Sequence, residues 1–223
     1  MEGTKPLYKD NNECRRVLQN DKSNKKFWDK FAKLYALFMR KDQGVYNQVC
    51  RYIYPYLNRG MNVLELACGS GQLSFNLSKY AKNWIGTDFS EQMILEARKR
   101  GEHENLTFEV ADATSLSFSD GEFNCVVIAN ALHIMPKPDE AMREIYRVLK
   151  PNGILSAPTF LWKEGTQSKF KKWIMSVVGF KMYQEWNKKQ FKDFIEKHGF
   201  SVVEMNLIHG GLAPIGVMIA YKK

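Results

Sequence analysis

Three carboxylates, Glu65, Asp88 and Asp112, each stand at or near the end of an apolar run, and Glu65 is followed four positions later by Gly69 and then Gly71. The stretch Val63 to Ser74 reads VLELACGSGQLS: an apolar run, a glycine-poised turn, and a helix-like pattern through Leu73, Leu77 and Tyr80. Strand, tight turn and helix in that order present a nucleotide-like ligand beyond the carboxyl end of a strand. Glycine is needed there because the backbone turns sharply and approaches the ligand with no Cβ in the way. Asp88 lies 19 positions after Gly69, the separation at which an acid reaches ribose hydroxyls. Asp112-Ala113 is placed for the exocyclic amine of an adenine, and Phe89 and Met93 for the faces of the base. Any one of these acids alone reads as a surface residue; three ending successive strands is the signal.

Glu65 separates two ligand classes. A dinucleotide would set a pyrophosphate against the glycine turn, where a carboxylate repels it. S-adenosylmethionine has no phosphate and carries a sulfonium cation and an α-amino group, which acidic residues suit through charge pairing in a partly desolvated cleft. The spacing therefore predicts that Glu65 faces a cationic cofactor; the plainer alternative is a solvated residue at a strand end.

These residues need a sheet to position them. Apolar runs at Met61–Ala67, Asn83–Thr87, Leu106–Ala111, Phe123–Ala129 and Ile154–Phe160 read as strands, with helical patterns at Ser70–Tyr80, Ser90–Arg100 and Asp139–Leu149 between them. That alternation predicts a mostly parallel sheet. Before it, Phe27, Trp28, Phe31, Leu34, Tyr35 and Phe38 form one helical stripe, and Val45, Val49 and Ile53 a second that stops at Pro55. Both helices are expected over or beside the ligand edge, with Trp28 and Phe31 as core and Tyr35 facing the cofactor. Residues 161–186, with Trp162, Trp173, Tyr183 and Trp186, read as a lid-like insertion, and residues 1–60 as a helical lid segment ahead of one domain spanning 61–223. Asn187–His198 reads as a helix, and Phe200–Ile208 with Pro214–Lys222 as an antiparallel finishing pair.

Composition narrows the class. The 223 residues fit one domain, 44% hydrophobic and 26% charged. No apolar run reaches the roughly 20 residues of a membrane helix, and the polar start, MEGTKPLYKDNNE, lacks a secretion signal's apolar core. Four scattered cysteines, Cys14, Cys50, Cys68 and Cys125, without a CxxC pair, predict reduced thiols in a cytoplasmic protein and no metal site. The net charge of +9 is uneven: residues 1–60 hold 13 basic against 6 acidic, residues 61–150 hold 9 against 13, and residues 151–223 hold 11 against 5. Basic flanks attract anionic partners, but no dense basic run stands out, so solvated helix faces are the favoured reading and nucleic acid an unfavoured partner.

On these motifs the chain resembles the class I S-adenosylmethionine-dependent methyltransferases, of the small-molecule type that includes ubiquinone and menaquinone biosynthesis enzymes. The carriers are Glu65-Leu66-Ala67-Cys68-Gly69-Ser70-Gly71, Asp88, Asp112-Ala113, Phe123–Asn130 with Ala131-Leu132-His133, and the run Arg143 to Gly153. The resemblance implies a Rossmann-like α/β fold, a seven-stranded sheet with its last strand antiparallel and helices on both faces. It also implies cofactor contacts at Ala67 and Asn130. Ala67 stands where the family often has its first glycine, which is tolerable if the residue keeps extended dihedrals. Methyl transfer is an in-line displacement that asks the protein mainly to align nucleophile and methyl and exclude water. His133 is the candidate base near the sheet edge, or else a positioning or packing histidine. The expected acceptor is a small organic molecule, at O, N, C or S. Rival readings are an RNA methyltransferase using the basic flanks, a nicotinamide-dependent oxidoreductase, and a cofactor-binding module without turnover.

Overall fold

The computed structural model describes residues 28, 29, 32, 43–162, 182–209 and 213–223. Strands β1 (Asn62–Leu66), β2 (Asn83–Asp88), β3 (Leu106–Val110), β4 (Phe123–Ile128) and β5 (Leu149–Ser156) are parallel, in the order β3-β2-β1-β4-β5. β8 (Ile215–Lys222) follows β5 antiparallel and carries β7 (Phe200–Ile208) on its other side. The expected single strand Ile154–Phe160 is interrupted at Ala157-Pro158. Proline has no N–H to give a ladder, and pairing with β8 resumes as the short β6 (Thr159–Phe160). The sheet thus has eight strands where seven were expected, the eighth being the outer piece of the fifth.

Helix positions follow from apolar spacing. α1 (Gln43–Ile53) buries Val49 and Ile53, α2 (Gln72–Leu77) buries Leu73 and Leu77, and α3 (Glu91–Arg98) buries Met93, Ile94 and Ala97. All three cover one face of the sheet, against Val63, Trp84, Cys125 and Val127. α4 (Pro138–Val148) begins on proline with Asp139 and Glu140 in its first turn, a favourable charge order for the helix dipole. α5 (Lys188–Glu196) starts on a reciprocal capping box between Asn187 and Gln190. These two cover the other face, over Leu64, Leu66, Val126 and Leu155.

Helix α1 corrects an expectation. It was placed by the ligand edge, yet it packs on α2, β7 and β8 as part of the covering layer. From the preceding segment Trp28, Asp29 and Ala32 are described, all helical. Tyr35, Phe31 and Trp173 lie outside the described residues. Among the described residues no helix is long and apolar enough to cross a membrane.

Candidate active site

A cleft opens at the carboxyl ends of β1, β2, β3 and β4, the edge where open parallel sheets hold their ligands. Parallel strands put their carboxyl ends on one edge, so the residues following each strand converge there. The cleft wall takes Ala67 and Gly69 from β1's turn, Asp88 and Phe89 from β2, and Met93 from α3. Asp112 and Ala113 come from β3, and Asn130 from β4.

The glycine turn is held in an unusual backbone. Ala67, Gly69 and Gly71 have φ of 52°, 54° and 78°. For Ala67 this overturns the extended conformation expected of it: the methyl sits on a left-handed residue, a strain of about 1–2 kcal/mol. Cys68 N–H donates to Thr87 O at 2.9 Å and Gly71 N–H to Cys68 O at 3.0 Å. Arg100 clamps the outside, donating to Ser70 O at 2.9 Å and Gln72 Oε1 at 2.6 Å. Gly71 does not line the cleft. It caps α2, and a Cβ there would stand 2.9 Å from Phe108 Cζ and 3.0 Å from Phe75 Cε2. Its glycine serves packing against two rings, not approach to a ligand.

Asp88 ties the turn to β2. Its Oδ2 accepts from Gly69 N–H and its Oδ1 from Ser90 N–H, both at 2.9 Å. Each carboxylate oxygen has two acceptor positions, so acceptor capacity is left for ligand hydroxyls. Burial raises its pKa to about 6, against the lowering effect of the Ser90, Gly69 and Phe89 N–H groups. Ser90 caps α3 through Met93 N–H and donates to Asp29 Oδ1 at 2.6 Å, while Trp28 reaches the cleft wall. Asp112 Oδ1 accepts from Thr114 N–H at 2.8 Å and Thr114 Oγ1 at 2.7 Å, an Asx turn that fixes the acid. Asn130, at φ 53°, donates its N–H to Pro158 O at 2.7 Å, and its buried Oδ1 has no hydrogen-bond partner among the described residues.

Glu65 departs from the place expected of it. It is 2% exposed and turned beneath the glycine turn, away from the cleft wall. Its Oε2 accepts from Ser74 Oγ at 2.5 Å and Trp84 Nε1 at 2.9 Å. Strand alternation explains this: Glu65 shares a face with Val63, which is covered by α2. Burial lifts its pKa to about 7. Its carboxylate thus braces β1, β2 and α2 together.

His133, expected as a base, also lies off the cleft wall. It is 1% exposed, with Nδ1 3.1 Å from Thr159 Oγ1, and burial lowers its pKa to about 3. It is therefore a neutral imidazole. Sequence reasoning missed the loop after β4, where Ile134, Met135, Pro136 and Lys137 complete the wall. It also took Trp28 for core. The apolar triplet before Pro138 was a visible signal, but nothing local tells a wall from a core.

The arrangement can hold an adenosine-bearing ligand. A buried carboxylate with acceptor capacity to spare, an ordered acid and an amide oxygen without a partner among the described residues stand along one wall. A methyltransferase domain model matches residues 63–153. The chain is 30% identical over 200 residues to a ubiquinone/menaquinone biosynthesis C-methyltransferase, UbiE, of Rickettsia prowazekii, covering 77% of this chain and 80% of that protein. It is 34% identical over 179 residues to a demethylmenaquinone methyltransferase of Lactococcus lactis, covering 68% and 70%. Among solved structures, a methyltransferase of Haloferax volcanii in complex with its Trm112 activator superposes with a TM-score of 0.75 at 19% identity, over 87% of this chain and 96% of that one. An S-adenosylmethionine-dependent methyltransferase from Methanosarcina mazei gives 0.64 at 23% identity, over 77% and 96%. These two agree in fold. The sequence relatives and the domain match show that the chain belongs to the class I S-adenosylmethionine-dependent methyltransferases, enzymes that here methylate a small molecule.

Proposed function

We propose that the acceptor is a flat, largely apolar ring of the quinone-precursor type, methylated in the cytoplasm. The names of the sequence relatives support this, as does the apolar stretch Ile134-Met135-Pro136 along the cleft. Among the described residues Cys50, Cys68 and Cys125 are free thiols, which fits a reducing compartment.

The observation that carries the cofactor placement is the Asp88 carboxylate, anchored by two backbone N–H groups with lone pairs to spare. In this reading Asp88 accepts the two ribose hydroxyls. Asp112 and Ala113 meet the adenine amine, and Phe89 and Met93 pack on the base. Gly69 and Ala67 let the chain pass close to the methionine portion, and Asn130 Oδ1 accepts from it. Glu65 acts from below, through the turn it braces. When bound, the cofactor supplies an electrophilic methyl group on a sulfonium. The protein's part is to align the acceptor with that methyl and exclude water, which together account for several kcal/mol of barrier lowering. Neutral His133 adds no charge to the site.

The test is incubation of purified protein with S-adenosylmethionine and 1,4-naphthalenediol or a substituted benzenediol, read by mass spectrometry. A product carrying methyl in place of hydrogen supports the reading. Methylation of RNA but of no such ring overturns it.

A further inference from the structure

Beside the cleft lie two buried polar groups that the cofactor placement does not use. Among the described residues, His133 Nε2 and Trp162 Nε1 are both buried without a hydrogen-bond partner, in residues 1% and 2% exposed. They belong to one aromatic cluster. The His133 and Phe160 rings meet edge-on at 5.7 Å, Phe160 and Trp162 are 5.7 Å apart, and His133 and Trp162 6.5 Å. The cluster adjoins the cleft through its backbone: Ile134, next to His133, is on the cleft wall, and wall residue Asn130 bonds to Pro158, next to Thr159. The N–H groups of Tyr183 and Gln184 both donate to His133 O at 3.0 Å, fixing the histidine from outside.

An unmet polar atom in the interior costs about 1–3 kcal/mol, and native proteins keep few of them. Two in one aromatic box, one of them an obligate donor, mark a place where a partner belongs. Indole Nε1 can only donate. If imidazole Nδ1–H donates to Thr159 Oγ1, the Nε2 lone pair can only accept. A donor and an acceptor among flat rings match one hydroxyl group, which both accepts and donates.

We propose that Trp162 and His133 are positioning residues for the methyl acceptor, Trp162 Nε1–H donating to a ring hydroxyl oxygen and His133 Nε2 accepting that hydroxyl's hydrogen. This rests on the reading of the acceptor as a hydroxylated flat ring. Phe160 supplies a ring surface for the acceptor to pack on, and holding the hydroxyl sets which ring atom faces the methyl group.

The test uses the full chain saturated with S-adenosylhomocysteine, titrated with 1-naphthol and with 1-fluoronaphthalene, which has the shape without the hydroxyl. The wild type is expected to prefer 1-naphthol about tenfold, the scale of one or two net hydrogen bonds. Trp162→Phe keeps a ring and removes the donor, and His133→Asn keeps the Thr159 partner and removes Nε2. Each is expected to cut the preference to about threefold or less, with S-adenosylhomocysteine affinity unchanged. His133→Gln, whose amide reaches the Nε2 position, is expected to restore part of it. A preference equal in wild type and Trp162→Phe, or none in the wild type, overturns the proposal. If 1,4-naphthalenediol is methylated while Trp162→Phe leaves its KM unchanged, this inference alone fails. If no hydroxylated ring is methylated although S-adenosylhomocysteine binds, the reading beneath it fails as well.

Discussion

Replacing Glu65 with glutamine separates a buried brace from a charge facing solvent. The wild-type carboxyl is fully enclosed and accepts from Ser74 Oγ and Trp84 Nε1, and burial raises its pKa from 4.5 to about 7. Folded Glu65 keeps its proton up to that pH while the unfolded carboxyl releases it near 4.5. The folded state therefore binds more protons between those values, and stability falls as pH rises through the window. The displacement corresponds to roughly 3 kcal/mol at 1.36 kcal/mol per unit. Glutamine has no proton to lose and still offers an oxygen to Trp84, while the Ser74 hydroxyl can turn to accept from its amide. Urea unfolding of both proteins at about pH 5 and about pH 8 reads the difference. The two stabilities should agree within about 1 kcal/mol at the lower pH, the scale of one hydrogen bond. At the higher pH the variant should gain roughly 3 kcal/mol on the wild type. Parallel pH profiles would refute the reasoning, since they would mean that Glu65 ionises no differently in folded and unfolded chains.

Other expectations follow from the same turn. Asp88→Asn should weaken S-adenosylhomocysteine binding about 10- to 100-fold, because hydrogen bonds to a charged group are worth about 1.5–3 kcal/mol. In the wild type that affinity should decline as pH falls through about 6, where the Asp88 carboxylate gains its proton. Calorimetry across pH checks both. Ala67→Gly releases about 1–2 kcal/mol of left-handed strain and costs about 0.4–1 kcal/mol in unfolded-state entropy, so the urea midpoint should rise by the equivalent of about 0.5–1 kcal/mol. Gly71→Ala goes the other way: with φ at 78° and a Cβ 2.9 Å from the Phe108 ring, it should lower stability by more than about 1 kcal/mol.

Periodicity carried most of the fold. The alternation of apolar runs and helical stripes located the five parallel strands and the finishing pair, because burial on one or two faces leaves its mark in residue spacing. Asp88, Asp112 and Asn130 were legible as cleft residues because a parallel sheet brings its strand ends to one edge regardless of the packing beneath. Glu65 was not. Its strand register fixes its face, but the partners that draw it inward, Ser74 and Trp84, come from α2 and β2 and are set by packing. Gly71 and Gly69 look alike in the chain, and only the placement of Phe75 and Phe108 shows that one glycine makes room for rings. The left-handed φ of Ala67 was hidden because an alanine gives no sign of it, and α1 was misplaced because an amphipathic stripe says that a face is covered without saying by what.

The central claim is that Asp88, Asp112 and Asn130 line one cofactor site. A crystal structure with S-adenosylhomocysteine bound tests it most directly. The account predicts both ribose hydroxyls on the Asp88 carboxylate and the adenine amine at Asp112. Density for the nucleoside elsewhere, or an Asp88 carboxylate making no contact with the ribose, would contradict it.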